Sequence, residues 1–131
     1  DWRYNGGIEE KTKMTYDKNN IFAKILRGEI SCKKVHENDY VLAFYDVNPQ
    51  KKIHVLVIPK GEYVDLDDFN NKASDKEILE LNKAITHVSN LLGTKGKGYR
   101  ALTNIGRDGG QEVPHLHFHI FAGEKIGKMV S

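Results

Sequence analysis

The sequence feature that most constrains the fold is a strict alternation of histidine and apolar residues near the C-terminus, HLHFHIF at residues 115–121. Successive side chains of a β-strand point to opposite faces, so this alternation predicts a strand with one apolar face and one imidazole face. The apolar face must be covered by the rest of the chain. The imidazole face carries His115, His117 and His119, and the apolar face carries Leu116, Phe118 and Ile120.

Other segments supply partners for that strand. Apolar and β-branched runs separated by turn-forming residues predict four more strands. They cover residues 33–37, 40–47, 51–59 and 99–105. The apolar spacing from Ile21 onward predicts a short helix, which Asn19 or Asn20 caps. We expect this helix to end at Gly28.

A single long helix is predicted between the strands. Ser74 and Glu77 have the spacing of a capping box, and Gly93 suits a left-handed cap at the other end. The positions of one buried face recur every three or four residues. They are Ile78, Leu81, Ile85, Val88 and Leu92. The order of elements predicts an α+β domain, an antiparallel five-stranded sheet with one long and one short helix.

Length and composition limit the remaining possibilities. The chain has 131 residues, enough for one domain, and we expect residues 14–131 to form it after a flexible leader or extension over residues 1–13. Lys and Arg number 20 against 18 Asp and Glu, spread along the chain, so neither nucleic acid nor a membrane surface is an expected partner. Cys32 has no cysteine to pair with, and no apolar run approaches the ~20 residues of a membrane span. We therefore expect a cytoplasmic protein.

Three interpretations fit the imidazole face. Polar side chains on a half-covered strand can face solvent without any further role. An H-x-H pair on a strand can present two nitrogens to zinc. Alternatively, one neutral imidazole, whose unperturbed pKa is about 6.5, can attack phosphorus while its neighbours donate to the charge that develops.

Residues outside the alternating segment favour the third interpretation. The turn that precedes it contains Gly106, Gly109 and Gly110, which allow backbone amides to approach an anion closely. His54 lies in an apolar run and could meet the three histidines across neighbouring strands. Asp46 follows another apolar run and is a candidate acceptor for sugar hydroxyls.

These motifs resemble the histidine triad (HIT) superfamily, and in particular its Hint branch of purine nucleoside phosphoramidases. The resemblance rests on HLHFHIF together with IFAKILRGEI, AFYDVNPQKKIHVLVIPK and TNIGRDGGQEV, and it covers about residues 20–128. It implies an α+β HIT-like fold. It also implies a homodimer in which two sheets join into a larger one.

The resemblance implies a two-step hydrolysis. His117 attacks the α-phosphorus of a purine nucleotide and expels an amine from a P–N bond, and water then cleaves the nucleotidyl-histidine. His119 is implied to bond the phosphate oxygens, and His115 and His54 to orient the nucleophile and handle protons. The implied nucleotide-binding residues are Asp46 for the ribose, Asn104, Gly110, Glu112 and Val113 for the phosphate, and Phe22, Ile25, Ile30, Phe44 and Val47 for the base.

Departures from the resemblance leave some properties open. Many relatives carry two cysteines that bind structural zinc where this chain has Asn20 and Ala23, so we expect no metal and no other cofactor. Glu112 and Pro114 differ from the residues of many relatives, which leaves the leaving group open. Two alternatives therefore stand beside the phosphoramidase. One is a dinucleoside polyphosphate hydrolase or nucleotidyl transferase with the same nucleophile. The other is a non-catalytic purine nucleotide-binding or scaffolding protein.

Overall fold

A computed structural model describes residues 15–130 of the chain. The predicted leader, residues 1–13, lies outside the described residues. Three helices and five strands occur in this part of the chain. In chain order they are α1 Ile21–Leu26, β1 Lys34–Glu37, β2 Val41–Tyr45, β3 Ile53–Pro59, α2 Leu66–Lys72, α3 Asp75–Leu91, β4 Arg100–Leu102 and β5 Phe118–Ala122.

The five strands form one antiparallel sheet in the order β1-β2-β3-β5-β4. Strand β3 lies at its centre and pairs with β2 on one side and β5 on the other. In the second pairing Leu56 lies opposite His119 and His54 lies opposite Phe121. The histidines of β3 and β5 are therefore diagonal neighbours on the sheet. The predicted α+β fold with an antiparallel five-stranded sheet is confirmed.

The two faces of the sheet carry separate cores. The α3 face is an apolar core that includes Val55, Val57 and Ile120 of the strands and Leu81 and Val88 of α3. The α1 face is built on Phe22 of α1 and on strand residues that point the other way. Those strand residues are Leu42, Phe44, Leu56 and Ile58.

The ends of the helices follow the local sequence. The Ser74 hydroxyl accepts from the N–H of Glu77, whose carboxylate accepts from the N–H of Ser74 in return. Gly93 follows α3 at φ +78°, a left-handed conformation that favours glycine. Asn20, one of the two expected caps, accepts from the N–H of Ala23 at the start of α1.

Two features differ from the prediction. Helix α2 was not expected. Asp65 caps it by accepting from the N–H of Asp68, and Phe69 anchors it in the α3-face core. The last strand is shorter than expected, because β5 begins at Phe118, with His115 in a bend and His117 between that bend and the strand. None of the helices in residues 15–130 is long and apolar enough to cross a membrane.

Candidate active site

A polar cleft of ≈220 Å³ lies on the α1 face of the sheet, beside the histidines. The residues that follow β2 and the loop before β5 form most of its wall. Its lining residues are Phe22, Asp46, Asn48, Gln50, Leu56, Asn104, Gly110, Glu112, Val113, His117 and His119. A larger cleft of ≈580 Å³ lies between the residues around β4 and the C-terminal segment, and no histidine lines it.

The alternation predicted for the histidine segment holds, although its first three residues precede β5. Leu116 and Ile120 are buried in the α3-face core, and Phe118 packs against it. His117 points to the other face, where its ring meets the edge of Phe22 at a centroid distance of 5.0 Å. The interpretation in which the imidazoles simply face solvent is wrong for His115 and His117, because both side chains are buried.

The ring of His117 is held by the backbone. Its Nδ1 lies 2.7 Å from the carbonyl oxygen of His115. A carbonyl oxygen only accepts, so Nδ1 carries the hydrogen and Nε2 keeps a free lone pair in the neutral ring. The carbonyl of His117 in turn accepts from the Thr103 hydroxyl at 2.7 Å. Burial lowers the pKa of His117, which keeps this ring neutral at pH 7.

His115 is bonded at both ring nitrogens. Its Nε2 donates to the carbonyl oxygen of Pro59 at 2.9 Å. Its Nδ1 lies 2.6 Å from the hydroxyl of Tyr16. Burial lowers the pKa of His115 to about 4, with a smaller opposing effect from the Pro59 carbonyl. The neutral ring therefore acts as a structural element rather than as a charge.

His54 and His119 form a second pair beside the first. The backbone N–H of Gln50 donates to His54 Nδ1 at 3.2 Å, so the hydrogen of the neutral His54 ring lies on Nε2. That atom is 2.9 Å from His119 Nδ1 and 3.4 Å from a carboxylate oxygen of Asp46. His119 Nδ1 consequently accepts, and its own hydrogen lies on Nε2, where it can donate to a ligand.

The pKa values of this second pair are also low. Burial lowers the pKa of His119 to about 4, and the nearby rings of His117 and His54 act in the same direction. Burial lowers the pKa of His54 as well, against the attraction of the Asp46 carboxylate. His54 bonds His119, whereas His115 bonds His117 through its carbonyl. The roles expected for His54 and His115, to orient the nucleophile and handle protons, stay predictions.

The loop before the histidines needs glycine, but for its own geometry. Gly110 lies at φ +77°, and a Cβ on Gly109 would lie 2.3 Å from a backbone oxygen. The N–H of Gly110 donates to the carbonyl of Arg107, and that of Gly106 donates to the side chain of Gln111. These two amides are therefore used within the loop, and the expected contact of Gly110 and Val113 with a phosphate stays a prediction.

The structure separates the five residues expected to hold a base. Phe22 lines the histidine cleft, whereas Ile25 and Ile30 line a neighbouring cleft of ≈390 Å³. Phe44 is buried and supports Phe22 at a ring-centroid distance of 5.6 Å, so it cannot form a wall. Val47 is 84% exposed and lines neither cleft. The α1-face core covers Phe44, and Val47 lies beyond the end of β2.

The other expected site residues are near the cleft. Asp46, Asn104, Gly110, Glu112, Val113, His117 and His119 line it. His54 and His115 lie behind it, bonded to groups of the same face. Pro114 is half-buried between the loop and the first histidine.

Sequence reasoning missed several residues of this site. Leu56 lines the cleft two positions after His54, so the period of a strand could have identified it. Asn48 and Gln50 also line it. Gln111 is buried and ties the glycine loop to the carbonyls of Val64 and Val113. No local pattern indicates Tyr16, because 99 positions separate it from its partner.

Among the described residues, one group of three side chains could hold a metal ion. Ligand atoms of Asp46, His54 and His119 lie within 4.8 Å of one another, and such a set suits zinc. Holding an ion there would break the hydrogen bond between the two rings. Asn20, where many relatives are expected to have a cysteine, caps α1 instead. The absence of zinc stays a prediction.

A neutral imidazole with its free nitrogen held at a polar cleft is typical of enzymes that use histidine as a nucleophile. Comparison with known proteins agrees with this class. The family model of the HIT domain matches residues 27–126, and the chain belongs to the HIT domain family. At the level of that family, the comparisons support a hydrolase.

Relatives match over most of their length. An uncharacterized HIT-like protein of Azospirillum brasilense is 56% identical, over 89% of this chain and 96% of that protein. The purine nucleoside phosphoramidase of Escherichia coli strain K12 is 36% identical, over 85% of this chain and 92% of that protein. Among solved structures, a HIT family hydrolase from Clostridium thermocellum is 34% identical with a TM-score of 0.80. That match covers 88% of this chain and 99% of the other.

Proposed function

We propose that the chain is a purine nucleoside phosphoramidase, which hydrolyses the P–N bond of purine nucleoside 5'-phosphoramidates through a covalent nucleotidyl-histidine. The observation that carries the proposal is the hydrogen bond from His117 Nδ1 to the carbonyl of His115. It leaves Nε2 as the nucleophilic atom, on a residue that lines the cleft. The Escherichia coli relative of that name supports the choice of substrate.

In the first step, His117 Nε2 forms a bond to the α-phosphorus and the bond from phosphorus to the amine breaks. The amine leaves with one added proton. The ring gains positive charge, which the His115 carbonyl stabilises through the Nδ1–H. His119 donates from Nε2 to the phosphate oxygens. Glu112, exposed on the cleft wall, is the proposed route for the proton of the amine.

In the second step, water attacks phosphorus, the bond to His117 Nε2 breaks, and a nucleoside monophosphate leaves. Water gives up one proton, and His117 returns to its neutral form. Glu112 on the cleft wall is the proposed acceptor of that proton, which balances the proton that the amine took in the first step. No step needs a metal.

The proposed nucleotide position follows from the same cleft. The phosphate lies against His117 and His119, near Asn104 and Val113, and the ribose hydroxyls donate to Asp46. The base extends along Phe22 towards the neighbouring cleft, where Ile30 is 38% exposed. The exposure of Val47 supports a contact that forms only when a base is bound.

The direct test is to trap the intermediate. The protein is mixed rapidly with an adenosine phosphoramidate, quenched and examined by mass spectrometry of its peptides. A nucleotidyl adduct on His117 is expected, and it should disappear on a timescale that matches turnover. An adduct on another residue would contradict the proposal. So would turnover during which no covalent adduct forms.

The choice of leaving group needs a separate experiment. Turnover of an adenosine phosphoramidate is compared with that of a diadenosine polyphosphate at equal concentration. A larger kcat/KM for the phosphoramidate is expected. A preference for the polyphosphate would favour the alternative hydrolase, and nucleotide binding without turnover of either would favour the non-catalytic alternative.

The reaction is expected to proceed in EDTA. Metal analysis of the purified protein should find less than one zinc per chain. One stoichiometric zinc, or loss of activity on chelation that zinc restores, would overturn this part of the proposal.

We also propose that residues 14–131 form a single domain that acts as a cytoplasmic homodimer. Strand β4 lies at the edge of the sheet that residues 15–130 form, so it is available for pairing. Leu91, the last residue of α3, is 55% exposed. Sedimentation at micromolar concentration should give twice the chain mass of 14.9 kDa. A purely monomeric species would contradict the dimer.

A further inference from the structure

Tyr16 lies just before α1 and reaches the histidine site from outside the matched region. Residues 27–126 match the family model, whereas Tyr16 precedes them. Its hydroxyl oxygen is 2.6 Å from His115 Nδ1. The two rings meet edge to face, with centroids 5.6 Å apart and planes at 72°. The contact joins residues 99 positions apart in the chain.

The direction of this hydrogen bond is fixed by its neighbour. His115 Nε2 must carry hydrogen because it faces the Pro59 carbonyl. In the neutral ring Nδ1 is then a pure acceptor, and the Tyr16 hydroxyl donates to it. The low pKa of His115 excludes the charged ring at pH 7. Burial raises the pKa of Tyr16, with Asn20 opposing, so its hydroxyl keeps the hydrogen it donates.

His115 connects this bond to the nucleophile. Its ring is clamped between Tyr16 and Pro59, and its carbonyl oxygen accepts from His117 Nδ1. The position of that carbonyl decides where the His117 ring points and which of its nitrogens carries hydrogen. Without the hydroxyl, His115 Nδ1 becomes a buried acceptor with a missing donor, which favours rotation of the ring or movement of its hydrogen.

We propose that Tyr16 is a positioning residue for the reaction, which holds the His115 carbonyl in place and thereby orients the His117 nucleophile. The inference rests on the proposed function only for the identity of the nucleophile. The proposal places a residue that precedes α1 among those that orient the nucleophile. Two hydrogen bonds of known direction connect these residues. Tyr16 donates to the ring of His115, and the ring of His117 donates to the carbonyl of His115.

The test replaces Tyr16 with Phe, which keeps the ring contact and removes only the hydroxyl. Tyr63→Phe is the matched control, because its hydroxyl donates to Glu77 at 2.7 Å at the start of α3. Both variants lose one side-chain hydrogen bond, so both should melt a few degrees lower. A general loss of stability would therefore affect them alike.

Activity should separate the two variants. For Tyr16→Phe we expect kcat to fall roughly threefold to tenfold with little change in KM, the effect of one net hydrogen bond on the transition state. Tyr63→Phe should keep the wild-type kcat. Equal kcat in Tyr16→Phe and wild type would overturn the proposal, and so would an equal loss in both variants.

A second measurement works without turnover. Nitrogen NMR of the histidine rings should show His115 as the Nε2–H form with a hydrogen-bonded Nδ1 in the wild type. In Tyr16→Phe the His115 Nδ1 signal should move downfield and the His117 Nδ1–H signal should shift with it. Signals of His117 unchanged by Tyr16→Phe would overturn the proposal. If the wild type hydrolysed no nucleotide, the proposed function would fail while this result would still decide the role of Tyr16.

Discussion

The two faces of the sheet use the same strands for opposite purposes. On the α3 face, alternate residues such as Val55 and Val57 pack against Leu81 and Val88 of the helix, and all of them are aliphatic. On the α1 face, the intervening positions include His54 and His119, which are joined by a hydrogen bond. One face is closed and apolar, and the other holds titratable rings beside an open cleft.

The difference shows how the fold supports neutral imidazoles. Burial on the α1 face lowers the pKa of His54, His115, His117 and His119. The apolar core of the α3 face stabilises the strands that carry them. Changes on the α3 face should therefore act on stability, and changes on the α1 face should act on chemistry and on the pH dependence of folding.

The largest expected effect comes from the nucleophile. His117→Ala should lower kcat by on the order of 10⁴-fold or more, because the covalent path is lost, while the fold and nucleotide binding remain. Steady-state kinetics and ligand titration measure the two properties. His87→Ala, on an exposed position of α3, is the control and should leave kcat unchanged. Similar activity in both variants would end the assignment of His117.

A substitution in the core of the α3 face should lower stability and leave kcat unchanged. Leu81 is 3% exposed, and Leu81→Ala should lower the free energy of unfolding by about 3 kcal/mol through lost contacts and a cavity. Below the melting transition, kcat should be unchanged. Leu79→Ala on the same helix, where the side chain is 47% exposed, should change stability by about 0.5 kcal/mol or less. Urea unfolding of both variants decides whether the two faces act independently.

The buried imidazoles should make stability depend on pH. The pKa of His115 falls from 6.5 to about 4 in the fold. Between these two pH values the unfolded chain binds a proton at His115 and the folded chain does not. The contribution of His115 to the free energy of unfolding is therefore fully present above pH 6.5 and is lost as the pH falls towards 4. The loss is about 3 kcal/mol for this residue, and His119 adds in the same direction.

Urea unfolding between about pH 7.5 and 4.5 measures this slope. His115→Gln should have a shallower slope than the wild type, because one of the groups that cause it is gone. Leu81→Ala should keep the full slope around a lower stability. A wild-type free energy of unfolding that is flat through this window would contradict the neutral state of the rings.

The smallest expected effect lies at the start of α3. Ser74→Ala removes one half of the capping box and should destabilise the fold by about 1 kcal/mol. Ser74→Asn supplies another side-chain acceptor and should recover most of that loss. Thermal unfolding of the pair is the measurement, and kcat should be the same in both. A change of kcat would mean that this end of α3 influences the cleft.

Much of the fold was predictable because its signals are local. The Ser74 and Glu77 pair set the start of α3, Gly93 its end, and the alternating histidines set the two faces of the last segment. Helix α2 was missed because its apolar stripe is short and only Phe69 is buried. The early start expected for β5 was wrong because the chain bends at residues 113–115 and pairs with β3 only from Phe118 onward.

The candidate site was predictable in its residue types and less so in its connections. Alternation placed His117 and His119 on one face, but only the register of β3 against β5 decided that His54 would meet His119. The glycines of the loop were expected to let backbone amides approach an anion, and only the structure shows that the N–H of Gly110 itself donates within the turn. Hydrogen-bond partners depend on backbone geometry that spacing does not specify.

The sequence by itself determined that an antiparallel sheet would carry three imidazoles on one side of its last segment, because strand alternation and helix capping are properties of neighbouring residues. Only the tertiary structure decided which nitrogen of the His115 ring carries hydrogen. That choice depends on Pro59 facing His115 and on Tyr16 reaching across from before α1. These contacts exist only once distant segments pack together, and they hold the residue whose carbonyl accepts from His117 Nδ1 and leaves Nε2 free.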